Sequence, residues 1–213
     1  MMINIPDLFP LVITNDDDKK NIEETLNGYL QHPDLYIIIF LAPYISEYFI
    51  DLIAKSNARI IIALINHTIP TYTKEAIKKL MSLDSNVIKQ FISTQKNSNI
   101  TQLLTSEAKV SLSLNRIVYV KKIYKLNTTK KQKSFVHMKL CFPYFYNKNT
   151  QLLYPKCVIS GSVNWTKNGI KNNDELLIIL RDQHSINKCV AIIEKYWKHS
   201  VLLQQLKQQF ENK

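Results

Sequence analysis

The sequence predicts an α/β fold: one domain over 1–213 with a central mixed β-sheet flanked by helices. Three observations carry this. Apolar runs of strand length alternate with amphipathic stretches of helix length along the chain. Two of the runs, LYIIIFL at 35–41 and RIIIALI at 59–65, are apolar almost throughout, the pattern of sheet strands covered on both faces. A chain of 213 residues, 46% hydrophobic and 21% charged, is long and apolar enough to bury one sizeable core.

Taken in order, PLVIT at 10–14 is a short strand. Asn15 or Asp16 caps a helix over 17–30 with acids in its first turn, and Gly28 and Pro33 mark its end. The run at 35–41 is the first central strand. Ser46 lies at the start of a helix reaching Lys55, with Tyr48, Phe49, Leu52 and Ile53 on its apolar side. The second buried strand follows at 59–65, and His67 behind it reads as a loop or packing residue. A helix spans 73–83. Residues 87–92 fit neither period, and 100–114 is helical in whole or part, with Leu103, Leu104 and Leu112 as core candidates. The segment 116–126 holds a strand, and 127–133, NTTKKQK, is a basic polar loop. Phe135, Val136, Leu140, Cys141 and Phe142 give the surroundings of His137 strand character. Hairpin composition at 146–151 leads to an apolar run at 157–159, a sharp turn at Gly161 and a helix start. A last strand lies at 176–180. Ser185 caps a long final helix to about 209, its buried stripe being Ile186, Val190, Ile193, Trp197, Val201 and Leu206.

Charge is unevenly placed. The net charge is +11. Between 108 and 173 there are thirteen Lys and Arg and no Asp or Glu, while the remainder carries 15 basic and 17 acidic residues. The whole surplus therefore sits on one segment. A Lys- and Asn-rich chain with a solvated basic face would also be basic, but the disappearance of acids over the same span favours a polyanionic partner. Nucleic acid is the natural one, since phosphate neutralisation dominates such binding.

That segment carries three polar motifs: His137-Met138-Lys139, then Gly161-Ser162-Val163-Asn164-Trp165-Thr166, then Asn173-Asp174-Glu175. On a strand, His137 and Lys139 share a face. Imidazole and ammonium repel once the ring is charged, but together they suit a phosphate. Ser162, Asn164 and Thr166 place hydroxyl and amide donors near a helix start, where unpaired backbone N–H groups favour anions. Thr166 also reads simply as a helix-start hydroxyl. Glu175 can accept from an imidazole N–H and fix its tautomer.

H-x-K, G-S-x-N-x-T and N-x-E in this order resemble the phospholipase D superfamily, most closely its single-motif nucleases and the related restriction-endonuclease catalytic domains. The resemblance is firmest over 134–180. It implies a phospholipase D-like domain and metal-independent phosphodiester cleavage through a covalent phosphohistidine, with no cofactor. It implies His137 as nucleophile, Lys139, Ser162 and Asn164 as phosphate ligands, and Glu175 as the residue orienting His137. Lys130, Lys131 and Lys133 in the preceding loop, with Thr166 and Lys167, are the candidate substrate grips. That chemistry uses two H-x-K units and this chain has one, so a homodimer sharing one site is expected. Two departures stand out. Tyr144 occupies the position of the motif's usual Asp, and the spacing from His137 to Gly161 is longer than in compact members.

DNA is the favoured substrate by that resemblance, although no residue here separates DNA from RNA. The alternatives are a lipid phosphodiesterase acting on cardiolipin or another phospholipid, and a catalytically inert nucleic-acid-binding module of the same fold. The three cysteines, Cys141, Cys157 and Cys189, show no metal-ligand spacing and suit a reducing cytoplasm. Residues 1–15 lack the pattern of a secretory signal. The most apolar window, 35–53, is interrupted by Pro43, Glu47 and Asp51, so integral membrane association is not expected.

Overall fold

The computed structural model describes residues 11–14, 19–66, 71–83, 116–123, 137–150 and 152–203. In chain order they form β1 (Leu11–Thr14), α1 (Lys19–Leu30), β2 (Leu35–Ala42), α2 (Glu47–Ala54), β3 (Ile60–Ile65), α3 (Thr71–Ser82), β4 (Ile117–Ile123), β5 (Leu140–Asn147), β6 (Leu152–Pro155), β7 (Val158–Gly161), α4 (Lys167–Lys171), β8 (Leu176–Leu180), α5 (Gln183–Lys198) and β9 (Ser200–Leu202). The candidate caps at Asn15 and Asp16, His67, the stretches 87–92 and 100–114, and the loop 127–133 lie outside the described residues.

The strands form a single mixed sheet in the order β1-β8-β7-β5-β2-β3-β4-β9, with β6 paired to β5. β2, β3 and β4 run parallel. β5 is antiparallel to β2 on one edge and to β6 and β7 on the other. The continuous apolar runs follow from this placement. Every residue of β3 is buried, and alternate residues of β2 serve opposite faces. Ile38, Phe40 and Ala42 pack with Ile22, Leu26, Phe49, Ile53, Ala76 and Leu80 from α1, α2 and α3. Ile37, Ile39 and Leu41 pack with Ile186, Ile193 and Trp197 of α5. A strand between two helical layers has no solvated face, so alternation disappears.

Four expectations need correction. His137, Met138 and Lys139 precede β5 instead of lying within it. Tyr48 is only partly buried and donates to Glu23, while Ile50 takes the buried place on α2. The cap of the last helix is Asp182, whose carboxylate accepts from the Ser185 N–H at 2.8 Å. That helix stops at Lys198, and Val201 belongs to β9, which pairs with the edge of β4. Leu206 lies outside the described residues.

The basic segment is also less uniform than its charge. Arg116 turns inward and donates to the carbonyls of Ala54, Ser56 and Ala58 at 2.9, 2.7 and 3.0 Å, closing the end of α2. Lys121 is buried, donating to the Trp197 carbonyl at 3.0 Å with its ammonium 3.6 Å from that ring's centroid. Burial lowers its pKa to about 8. Lys148, Lys156 and Lys167 are exposed as expected. No helix among the described residues is long and apolar enough to cross a membrane.

Candidate active site

The three motifs converge because β8, β7 and β5 are neighbours in the sheet. Leu140 of β5 pairs with Ser160 of β7, and Gly161 pairs with Leu177 of β8. The lead into β5, the end of β7 and the head of β8 therefore meet at one end of the sheet.

Lys139 is buried, at 6% exposure, while His137 is exposed. The Lys139 ammonium lies 3.1 Å from His137 Nδ1 and 3.4 Å from Nε2. An ammonium has donors only, so in this contact the ring nitrogen is the acceptor. Burial holds the Lys139 pKa below the usual lysine range, and the negative charge of Glu175 opposes that shift. A buried ammonium, partly compensated by a carboxylate, thus lies beside an exposed imidazole.

At Gly161 the backbone has φ +140°, a conformation glycine supports readily. The turn brings Ser162 onto the head of β8. Its hydroxyl donates to Glu175 and accepts from the Leu176 N–H at 2.9 Å. Its own N–H donates to the Leu176 carbonyl at 3.0 Å. The single hydroxyl proton of Ser162 is thus directed at the Glu175 carboxylate, which also faces the Asn173 amide at 3.5 Å.

Beyond Ser162, Trp165 anchors the loop. It is fully buried, stacks on Phe49 with centroids 5.2 Å apart, and its carbonyl accepts from the Ser46 N–H at 3.0 Å. The motif's order does not single out Trp165; an aromatic inside a turn motif is the available signal. Thr166 caps α4 by accepting from the Gly169 N–H at 3.1 Å. The Lys167 N–H donates to Ser46 Oγ at 3.2 Å. The helix-start amides expected to favour an anion are thus partly engaged within the protein, and the helix-cap reading of Thr166 holds. Asn164 differs: its side-chain oxygen is buried without a hydrogen-bond partner.

A cleft of about 450 Å³ opens beside these residues, lined by Tyr44, Ser46, Asn164, Thr166, Lys167, Asn168 and Asn173. Thr166 and Lys167 thus line one cavity with Asn164. Lys130, Lys131 and Lys133 lie outside the described residues. Tyr144, at the position of the missing Asp, is buried in mid-β5 among the residues that face α5, with its phenol pKa pushed up to about 12 by burial. Among the described residues no cluster of His, Cys, Asp and Glu could hold a metal ion.

The chain belongs to the phospholipase D-like family. The family model described as cardiolipin synthase, PLD-like domain, matches residues 49–197. Among solved structures, NucT from Helicobacter pylori superposes with a TM-score of 0.53 at 13% identity, covering 92% of this chain and 99% of that one. Nuc from Salmonella typhimurium, a phospholipase D family member, gives 0.52 at 11% identity, covering 91% and 98%. No protein of curated function matches the sequence. At these identities the structures establish a shared fold.

Proposed function

We propose that this protein is a phosphodiesterase that cleaves nucleic acid, DNA foremost, through a covalent phosphohistidine in a homodimer. The observation that carries the reading is the His137–Lys139 pair, an exposed imidazole within 3.1 Å of a buried ammonium, at the sheet end where Ser162, Asn164 and Glu175 also lie. A ring nitrogen of His137 attacks phosphorus and the bond to the leaving oxygen breaks. The partner subunit's His137 protonates that oxygen. It then takes a proton from water, whose oxygen attacks phosphorus and breaks the P–N bond. Splitting one displacement into two in this way is ordinary nucleophilic catalysis. Lys139 leaves the ring and, with the Asn164 amide, stabilises charge on the non-bridging oxygens. Glu175, held by Ser162, keeps Lys139 protonated and is the candidate to orient His137. Ammonium and amide supply the electrostatic role without a divalent metal. The cysteines at 141, 157 and 189 are free, in keeping with a reducing cytoplasm.

The family model's description names cardiolipin synthase, so a phospholipid is the second substrate to test. The experiment offers the protein single- and double-stranded DNA, RNA and cardiolipin vesicles in EDTA, with rapid-quench mass spectrometry for an acid-labile phosphoryl adduct. Cleavage of nucleic acid in EDTA, an adduct on His137 and a sedimentation mass of about two chains are expected. His137→Ala removes nucleophile and acid together, and activity falls to background. Cleavage that requires Mg²⁺ and survives His137→Ala refutes the assignment.

A further inference from the structure

Ser46 stands at the N-cap position of α2 with extended backbone angles, φ −122° and ψ 164°, yet its side chain makes no capping bond to that helix. A serine in this place ordinarily accepts from an N–H in the first turn of its own helix. Here Ser46 Oγ accepts instead from the Lys167 N–H at 3.2 Å. The hydroxyl in the capping place of α2 thus serves the first residue of α4. The Ser46 backbone faces the same loop. Its N–H donates to the Trp165 carbonyl at 3.0 Å, and Ile45 forms a parallel bridge with Trp165. Ile45 is fixed in turn by Thr73, a buried residue of α3 whose hydroxyl donates to the Ile45 carbonyl at 3.1 Å. Residues 45–46 are thus a splint anchored on α3 and laid along 165–167.

What the splint holds is Asn164. α4 has five residues, too few for its own hydrogen bonds to fix it in place, so its position comes from its anchors. At its far end Lys171 pairs with Glu23 at 2.9 Å, but both side chains are partly exposed, which makes a weak tether. At its start stand the Thr166 cap and Ser46 Oγ. Between these anchors α4 lies directly on Asn164. A Cβ at Gly169 would stand 2.3 Å from the Asn164 carbonyl oxygen and 3.1 Å from its nitrogen, and the Thr166 N–H donates to that same carbonyl at 2.7 Å. A shift of α4 therefore shifts the Asn164 backbone and the amide it carries.

We infer that Ser46 is a positioning residue for the reaction, acting through α4 on the Asn164 amide. This rests on the phosphodiesterase reading of the His137 centre, in which that amide meets the non-bridging oxygens. Removing Ser46 Oγ leaves both of its backbone bonds in place and withdraws only the acceptor for the Lys167 N–H. No cap of α2 is lost with it, because that cap is not made. The effect is therefore confined to the start of α4, and it reaches the chemistry only by way of Asn164.

The test is a double-mutant cycle on cleavage of DNA in EDTA, assayed below every Tm. Ser46→Ala is expected to lower kcat about tenfold with KM within about twofold, since a displaced donor costs less than the roughly 10²–10³ of a deleted one. Its Tm should move by no more than about 4 °C, the scale of one hydrogen bond in a chain of this size. Ser46→Thr keeps the acceptor and the rate. In an Asn164→Ala background Ser46→Ala has no further effect, because the group it positions is gone. An unchanged kcat overturns the inference. So does an equal loss in both backgrounds, which would make Ser46 a direct substrate contact. A second readout does not need cleavage. Inorganic phosphate is titrated into each protein and followed by NMR through the nitrogen-15 side-chain amide of Asn164. The amide resonance should move on saturation in wild type and Ser46→Thr, and move less in Ser46→Ala. An amide indifferent to phosphate in wild type, or equally responsive in Ser46→Ala, overturns the inference. A Ser46-dependent response in a protein that cleaves nothing upholds the positioning and sinks the phosphodiesterase reading instead.

Discussion

The turn at Gly161 offers the sharpest test of how the site is assembled. A Cβ built at Gly161 would stand 1.9 Å from the Leu176 carbonyl oxygen, 2.9 Å from its carbon and 3.2 Å from Leu177 Cα. All three are backbone atoms of β8, so no side chain can swing away. An ordinary contact requires the head of β8 to move by roughly 1.5 Å, given normal carbon–oxygen packing distances. That movement strains the 3.0 Å Ser162–Leu176 backbone bond and the 2.9 Å bond from Leu176 N–H to Ser162 Oγ, and it carries Glu175 with it. Strain at a positive φ costs about 1–3 kcal/mol, and two weakened hydrogen bonds about 1 kcal/mol each. Gly161→Ala is therefore expected to cost about 3–5 kcal/mol. In a chain of this size that lowers Tm by roughly 6–20 °C. Gly28→Ala is the control, since a Cβ there meets nothing within 4 Å. Gly28 lies inside α1, where alanine is the better helix former by up to about 1 kcal/mol, so its Tm rises slightly. Differential scanning calorimetry measures both variants, and cleavage in EDTA is assayed below each Tm. Folded Gly161→Ala should retain less than about a tenth of wild-type activity, the scale of one displaced electrostatic donor. A Gly161→Ala protein with unchanged Tm and full activity refutes the reasoning.

Other consequences are independent of that turn. Glu175 opposes the burial-driven lowering of the Lys139 pKa, and Lys139 must be protonated to hold a phosphate. Glu175→Gln should therefore move the alkaline limb of the pH–rate profile to lower pH, and an unmoved limb removes Glu175 from this role. Lys121 has a folded pKa of about 8 against an ordinary 10.5. Between those values the unfolded chain binds more protons, so stability rises with pH across that window, by at most about 3 kcal/mol. Chemical denaturation at pH 8 and pH 10 should show the rise in wild type and not in Lys121→Met. Changing Lys130, Lys131 and Lys133 to Ala should weaken nucleic-acid binding and flatten its dependence on log salt by up to roughly three phosphate equivalents. A salt slope equal to wild type argues that these lysines do not meet phosphate.

The sequence made the central strands legible because burial on both faces leaves an unbroken apolar run, and the runs at 35–41 and 59–65 leave little else to choose. The final helix was overrun because 196–203, YWKHSVLL, keeps an apolar spacing that a helix would also show. What ends it is tertiary: Ser200–Leu202 is recruited to the edge of β4, and local periodicity cannot see a distant edge. The site's residue types were legible from motif order, but their couplings were not. That Ser162 donates a hydrogen bond to Glu175, that Trp165 anchors the loop on Phe49, and that Tyr44 lines the cleft all depend on elements far apart in sequence. Charge misled in one respect. Arg116, Lys121 and Lys139 are turned inward, toward helix-end carbonyls, an indole ring and an imidazole, so counting basic residues overstates the charge facing solvent.

The sheet also explains both departures from the family motif. Every candidate catalytic group sits where β5 begins, β7 ends and β8 begins. β5 then runs away from that end through Tyr144 to Asn147, and its far half pairs with β6. The extra residues between His137 and Gly161 were read at 146–151, and those described, at the end of β5 and in the turn at 148–150, lie at the opposite end of β5 from His137. Lengthening there leaves the register at Leu140–Ser160 and Cys141–Ile159 intact, so the distance between motifs along the chain does not translate into distance at the site. Tyr144 lies five residues beyond Lys139, in the layer between the sheet and α5, stacked near Phe142 at 6.4 Å. At that depth, a carboxylate without a partner would carry a large desolvation cost. A tyrosine fills the volume without one. The replacement is thus a packing solution within the core, and it leaves the groups at the head of β5 where the proposed chemistry needs them.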